Sequence, residues 1–272
     1  MTLLRCSLAL LALTAPAAAA AQDEKPFSVS GSVALVSDYR FRGVSQSNLG
    51  AAVQGGLTLN HQSGLYTGFW SSNLAGWGTF GGPNLELDLF GGYKTELAGL
   101  DLDAGFTVYT YPGGAKTTTF VELYAKLGGS LGPVNLTGGF FYAPSQKALG
   151  NWSNHPDSRP GDKEDNIYIS GDASVGIPGA PLTLKAHLGY SDGNPGLGPN
   201  GTSIAPTGSY WDWLVGVDLA VGPVTLGIAY VDTDISDTSA AWRRLQPNFS
   251  KQPDADKAIS NAGVVLSISA AF

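Results

Sequence analysis

From residue 27 to the C-terminus, segments of about ten residues place an apolar side chain at every second position and are separated by turn-forming residues. Successive side chains of a strand point to opposite faces, so a period of two gives each segment one apolar and one polar face. The closing segment is the plainest: Val264, Leu266, Ile268, Ala270 and Phe272 share one face, and Ser267 and Ser269 the other. The first sets Phe27, Val29, Val33 and Leu35 against Ser28, Ser30 and Ser32. Its alternation continues, putting Tyr39 and Phe41 with the apolar set and Asp38, Arg40 and Arg42 with the polar one. About twelve such segments are present, and helix-period amphipathic stretches are absent. Residues 64–73 leave the face open, because Leu65, Thr67 and Phe69 compete with Tyr66 and Trp70.

A single alternating segment also fits a soluble sheet; the connections separate the two cases. Tight turns fall at His61-Gln62-Ser63-Gly64, Leu97-Ala98-Gly99, Ser130-Leu131-Gly132-Pro133, Ile177-Pro178-Gly179-Ala180 and Val221-Gly222-Pro223. The intervening connections, 42–50, 74–83, 143–165, 191–209 and 232–258, are long, with 112–118 the short exception. A soluble sandwich has no reason to sort its loops by end, whereas outer-membrane barrels have short periplasmic turns and longer extracellular loops. Aromatic residues sort the same way. Tyr142, Tyr190, Trp211, Trp213 and Tyr230 fall outward near the long-loop ends, and Phe27, Tyr93 and Phe272 near the short-turn ends, as expected of rings that prefer the two membrane interfaces. The pattern predicts an all-β fold: a transmembrane antiparallel up-and-down β-barrel of about twelve strands, touching outer-membrane lipid on its apolar side. A C-terminal strand ending in Phe272 is expected to be the part read by the barrel-assembly machinery.

The N-terminus fits that compartment. Arg5, an apolar run from Leu8 to Leu13 and an alanine tract with Ala19-x-Ala21 read as a secretory signal peptide over 1–21, leaving 22–272 as a single barrel domain. No later stretch reaches the roughly 20 apolar residues of a membrane helix. The only cysteine, Cys6, lies inside the signal, so the processed chain has no disulfide, thiolate metal site or cysteine nucleophile. Arg5 leaves with the signal, so the processed chain is one unit more acidic than the formal −7 of the whole. A general affinity for nucleic acid is not expected.

One stretch is more specific than the pattern. Ser37-Asp38-Tyr39-Arg40-Phe41-Arg42-Gly43-Val44-Ser45-Gln46-Ser47 resembles the signature near the processed N-terminus of the TorF family of porin-like proteins. The likeness continues through Ala52-Val53-Gln54-Gly55-Gly56, Gly64-Leu65-Tyr66-Thr67-Gly68-Phe69-Trp70-Ser71-Ser72-Asn73 and Glu86-Leu87-Asp88-Leu89-Phe90-Gly91-Gly92-Tyr93. After about residue 125 only pattern and length match, and Leu57-Thr58 stands where the family has an acidic residue. The resemblance implies a Gram-negative outer-membrane barrel of porin type, with no particular substrate.

By parity the lumen receives Asp38, Arg40, Arg42, Glu86, Asp88, Lys94, Asp101, Asp103, Glu122, Lys126, Asp172, Lys185, Asp212 and Asp218. Lumen residues set selectivity, while charges on the lipid side are costly. The acidic excess predicts a mild preference for cations. Arg40 and Arg42 are expected just below the first long loop, either forming one side of a constriction with Glu86, Asp88 and Glu122 or anchored by Asp38 and neighbouring carboxylates to fix that loop. At the other end, Lys94 is expected across the 96–100 turn from Asp101, with Asp103 and Lys126 nearby, as a ladder of ion pairs. Eight strands are just filled by side chains and sixteen leave a wide channel, so about twelve predict a narrow lumen. The expected function is an outer-membrane channel for small polar solutes; the alternative is a sealed barrel whose loops bind a partner.

An enzyme is the rival class, since some twelve-stranded barrels hydrolyse lipids with Ser and His on the membrane-facing wall. The sole His-x-Ser, His61-Gln62-Ser63, lies in a short turn, and His155 and His187 lack a serine at comparable spacing. Gly196-Leu197-Gly198-Pro199-Asn200-Gly201 carries a proline and no following helix, so it reads as a loop. Asp232-Thr233-Asp234-Ile235-Ser236-Asp237 lacks the acid that would complete a calcium loop. No reaction, cofactor or metal is expected.

Overall fold

The computed structural model describes residues 26–75, 83–114, 117–150, 163–195, 204–236 and 258–272; the signal-peptide reading, His155 and the 196–201 loop lie outside them. In chain order the strands are β1 (Phe27–Val36), β2 (Arg40–Phe41), β3 (Val44–Ser45), β4 (Ala52–His61), β5 (Leu65–Asn73), β6 (Leu85–Leu97) and β7 (Leu100–Thr110). They continue with β8 (Phe120–Leu131), β9 (Val134–Gln146), β10 (Glu164–Gly176), β11 (Leu182–Gly193), β12 (Ser209–Val221), β13 (Val224–Thr233) and β14 (Gly263–Ala271). Twelve of them close an antiparallel barrel in the order β1-β14-β13-β12-β11-β10-β9-β8-β7-β6-β5-β4. The remaining two, β2 and β3, pair only with each other.

Closure removes the sheet edge, so no row of backbone groups is left unpaired in hydrocarbon. The seam joins the two ends of the chain. β14 pairs β1 from Ser32↔Ala271 to Val36↔Ser267, and one step further Gly31 and Phe272 exchange backbone hydrogen bonds at 2.8 and 3.0 Å.

The alternation is inside-out relative to a soluble protein. Val29, Val33, Leu35, Leu57, Leu89, Leu127, Ile169, Leu188, Val215, Ile228, Leu266 and Ile268 all project outward and exposed, an apolar belt that a water-soluble chain would bury. Phe27, Tyr93 and Phe272 are exposed at the short-turn end, and Trp211 and Tyr230 at the long-loop end. In β5 the open question resolves: Leu65, Thr67 and Phe69 face out, and Tyr66, Trp70 and Ser72 are buried inside.

One expectation fails. β1 ends at Val36, whose partner across the sheet is Ala52 at the start of β4. Ser37 still exchanges hydrogen bonds with Leu266 of β14; beyond it the chain leaves the wall and turns inward until Ala52, with β2 and β3 forming a small hairpin in the lumen. Tyr39 and Phe41 therefore do not face lipid. Tyr39 is buried edge-on against Trp70 at 5.4 Å, and Phe41 packs edge-on against Tyr109 at 5.9 Å. An alternating pattern reads the same whether its apolar side meets hydrocarbon or a packed interior, so periodicity carried the strand too far.

The interior is accordingly uneven. At the long-loop end Val36, Tyr39, Trp70, Phe90, Tyr109, Tyr111, Phe120, Ala143, Leu149, Val231 and Val265 form one apolar cluster inside the barrel. Towards the short turns the lining is polar: Ser28, Ser30 and Asn135 are exposed, Thr58, Asn60, Thr137, Ser174 and Thr225 partly so, and Asp103 and Lys126 buried.

Candidate functional site

The inward hairpin is built by short-range chemistry. Asp38 accepts hydrogen bonds from Ser45 and Ser47 and from the Arg40 guanidinium, to which it is also ion-paired. The Tyr39 amide donates to Ser47 Oγ at 2.9 Å and the Leu49 amide to Ser45 Oγ at 2.8 Å. Arg40 Nη1 also donates to the carbonyls of Gly43, Ile259 and Asn261 at 2.9, 3.2 and 2.8 Å. Arg40 is thus an internal brace, tying the hairpin to the segment that precedes β14.

Arg42 does something different. Arg42 and Gly43 are the two central residues of the β2–β3 turn, with φ of 49° and 79°, the left-handed pair that a two-residue hairpin turn requires. Their position sends the Arg42 side chain across the barrel. Its Nη2 donates to Glu122 Oε1 of β8 at 2.6 Å, and its guanidinium lies 4.0 Å over the ring of Tyr168 of β10 and 5.8 Å from that of Phe141 of β9. In the closed strand order, β9 and β10 lie opposite the β1–β4 pair from which the hairpin departs. The hairpin therefore crosses the lumen. Tyr210 of β12 donates to the Arg42 carbonyl at 3.0 Å, the Ala75 amide to the Gln46 carbonyl at 3.1 Å, and the Ser45 amide to the Ile259 carbonyl at 2.8 Å. Gly43 is tight against Thr233 and Asp212, where a Cβ would sit 2.4 and 2.9 Å from their side chains.

Glu86, Asp88 and Glu122 are all buried in this region. Glu122 also accepts from the Tyr109 hydroxyl at 3.2 Å, and Glu86 from that of Tyr111 at 3.4 Å. Glu86 Oε2 and Asp88 Oδ1 have no hydrogen-bond partner among the described residues, and neither do Arg42 Nε and Nη1. Of the two expected arginines, Arg42 reaches across to this acidic side and Arg40 braces the hairpin against the segment before β14.

The second expected cluster is assembled with a shifted register. Lys94 stands opposite Asp103, Asp103 opposite Lys126, and Asp101 opposite Glu96 and Gly128. Lys94 therefore stands opposite Asp103 rather than Asp101, because the two-residue turn falls at 98–99, one residue later than a Lys94–Asp101 pairing requires. Tyrosines knit the cluster together: the Tyr66 hydroxyl donates to Asp103 at 2.5 Å and contacts that of Tyr124, Lys94 lies 4.5 Å over the Tyr66 ring, and Lys126 lies 4.9 Å over that of Tyr124.

Sequence reasoning missed the tyrosines and one histidine. His187 lies between Asp172 at 2.7 Å and Asp212 at 3.3 Å, with the Tyr168 hydroxyl 2.8 Å from its Nε2. Lys185 pairs with Asp218 at 2.6 Å below them. A signal did exist: inward glycines on neighbouring strands open the space the rings fill. A Cβ on Gly92 would meet the Tyr66 hydroxyl at 2.5 Å, one on Gly105 that of Tyr124 at 2.7 Å, and one on Gly189 that of Tyr168 at 2.0 Å. His61 and Ser63 are hydrogen-bonded to each other at 2.8 Å in the exposed β4–β5 turn.

Solved structures place the architecture. The KdgM porin superposes with a TM-score of 0.51 at 6% identity, covering 89% of this chain and 99% of that one. KdgM porin in complex with disordered oligogalacturonate gives 0.51 at 5% identity, over 90% and 98% of the two chains. An outer membrane channel from Pseudomonas putida F1 is 16% identical over 90% of this chain and 95% of its own, with a TM-score of 0.44. At such identities the likeness is one of fold, that of outer-membrane porin barrels. The curated proteins give no match. The family model described as "Bacterial protein of unknown function (Gcw_chp)" matches residues 20–259, and the chain belongs to the Gcw_chp family.

Proposed function

We propose that the protein is an outer-membrane channel for small polar solutes, narrowed on its extracellular side by the hairpin of residues 37–51. The observation that carries this reading is the polarity gradient of the lumen. A packed aromatic interior would suffice if the barrel were only a membrane anchor, yet the short-turn half carries exposed serine and asparagine beside the charged cluster of Lys94, Asp103 and Lys126. The TorF-like motif supports the same reading, since its signature residues 37–47 are the ones that make the hairpin. In this reading the short turns face the periplasm, outer-membrane lipid bathes the outer belt, and the strand ending in Phe272 is what the assembly machinery engages.

The charge balance selects the solute class. Asp38, Glu86, Asp88, Asp101, Asp103, Glu122, Asp172, Asp212 and Asp218 outnumber Arg40, Arg42, Lys94, Lys126 and Lys185. A low-dielectric wall focuses such a field and favours cations and neutral polar solutes. An acidic oligosaccharide, of the kind bound in the second KdgM structure, meets the opposite field here. Reversal potentials across a planar bilayer with a potassium chloride gradient test this. The sign expected is that of a cation-preferring pore, and anion preference would overturn the solute class.

A sealed barrel that binds a partner through its long loops is the second reading, favoured by the apolar cluster inside the long-loop half. Reproducible conductance steps support the channel; electrical silence of a correctly folded preparation supports the sealed barrel.

A further inference from the structure

The central turn of the inward hairpin has an unusual residue at its first position. A two-residue turn of this hand favours Asn-Gly or Asp-Gly, because short polar side chains tolerate the left-handed region. Here the residue at φ 49° is Arg42, a choice the backbone does not favour. Its side chain must compensate, and what it does is enter a ready-made receptor in the opposite wall. Glu122 is 1% and Tyr168 0% exposed, so carboxylate and ring face are both desolvated, the setting in which a guanidinium binds best. The tether leaves that receptor incompletely used. Only Nη2 is hydrogen-bonded, while Arg42 Nε and Nη1 have no partner among the described residues.

We propose that Glu122, Tyr168 and Phe141 form a guanidinium-binding site in the barrel wall, and that Arg42 is its built-in occupant. A free guanidinium-bearing solute, lacking the backbone tether, can turn two nitrogens to the Glu122 carboxylate where Arg42 presents one. Such a solute competes with the hairpin for its anchor. Occupancy of the site by solute and closure of the lumen by the hairpin are then mutually exclusive. The binding half of this inference needs no conduction; the opening half rests on the channel reading.

The test is chemical rescue. Folded barrel carrying Arg42→Ala, or Arg42→Gln, which keeps the side-chain stem over Tyr168, is heated with millimolar methylguanidinium chloride and its unfolding midpoint followed. A saturable rise is expected that equal concentrations of sodium or methylammonium chloride do not give, and that disappears in the Arg42→Ala/Glu122→Gln double variant. A rise that sodium reproduces, or that survives loss of the Glu122 charge, overturns the site. In bilayers, Arg42→Ala is expected to conduct more than the unaltered protein, and methylguanidinium to raise the conductance of the unaltered protein. Rescue without any conductance keeps the site and rejects the channel, whereas conductance without rescue or any response to methylguanidinium does the reverse.

Discussion

Gly31 and Phe272 are the closing clasp of the barrel. Their backbones exchange hydrogen bonds at 2.8 and 3.0 Å, and the Phe272 ring occupies the place where a side chain on residue 31 would go, 2.5 Å from an ideal Cβ. Gly31→Val must push that ring and Leu57 aside. Overfilling a packed site costs about 1–3 kcal/mol, and the low end applies because a terminal ring on the lipid face can swing. Urea unfolding in detergent or lipid should show Gly31→Val destabilised by about 1 kcal/mol. Gly31→Val/Phe272→Ala should lose less than the sum of its two single variants; additivity would mean that the ring does not sit over Gly31.

Inside the barrel the same relationship is stricter. A Cβ on Gly189 would lie 2.0 Å from the Tyr168 hydroxyl and 2.7 Å from Asp212 Oδ2, and neither can retreat, since Tyr168 is fully buried between Arg42 and His187. Gly189→Ala should destabilise by about 2–3 kcal/mol, the upper part of the overpacking range. Adding Tyr168→Phe, which removes the obstructing oxygen, should restore a measurable part of the urea midpoint.

Breaking the cross-lumen pair from the carboxylate side leaves a buried cation with no counter-charge, which costs about 3–5 kcal/mol. Glu122→Gln should therefore lower stability strongly. Glu122→Gln/Arg42→Met, which removes both charges, should be more stable than Glu122→Gln alone. If the two are equal in chemical denaturation, Arg42 and Glu122 are not coupled.

The medium around the barrel is testable at two adjacent positions. Leu266 projects outward and exposed, and Ser267 inward. An arginine on the lipid face of a barrel costs about 2–4 kcal/mol near the midplane. Leu266→Arg should show that loss on refolding into lipid, and Ser267→Arg distinctly less. Equal losses would remove the assignment of hydrocarbon to the outer face.

The wall was legible in the sequence because its physics is local. Each strand carries its own alternation, and the short turns at Gly64, Gly99, Gly132, Gly179 and Gly222, all at positive φ, mark one end of the barrel unambiguously. What the sequence hid is tertiary. Tyr39 and Phe41 keep strand periodicity beyond Val36, so nothing local says that the chain turns inward after that residue. The pairing of Arg42 with Glu122 spans eighty residues, and parity places both in the lumen without saying that one crosses it. In the lower cluster parity chose the right face, but register, fixed by where the 98–99 turn falls, decided that Lys94 stands opposite Asp103. His187 was passed over because it was read only as a partner for serine, while its partners Asp172 and Asp212 come from neighbouring strands.

The central claim is that residues 37–51 narrow a conduit that the twelve strands would otherwise leave wider. Val36 and Ala52 are already paired across the sheet, so replacing residues 38–50 by Asn-Gly can join β1 to β4 through a short hairpin without disturbing the wall. Single-channel recording of this variant beside the unaltered protein tests the claim most directly. Larger, stable conductance steps are expected for the shortened chain; identical conductance in two correctly folded preparations would mean that the hairpin does not narrow the path.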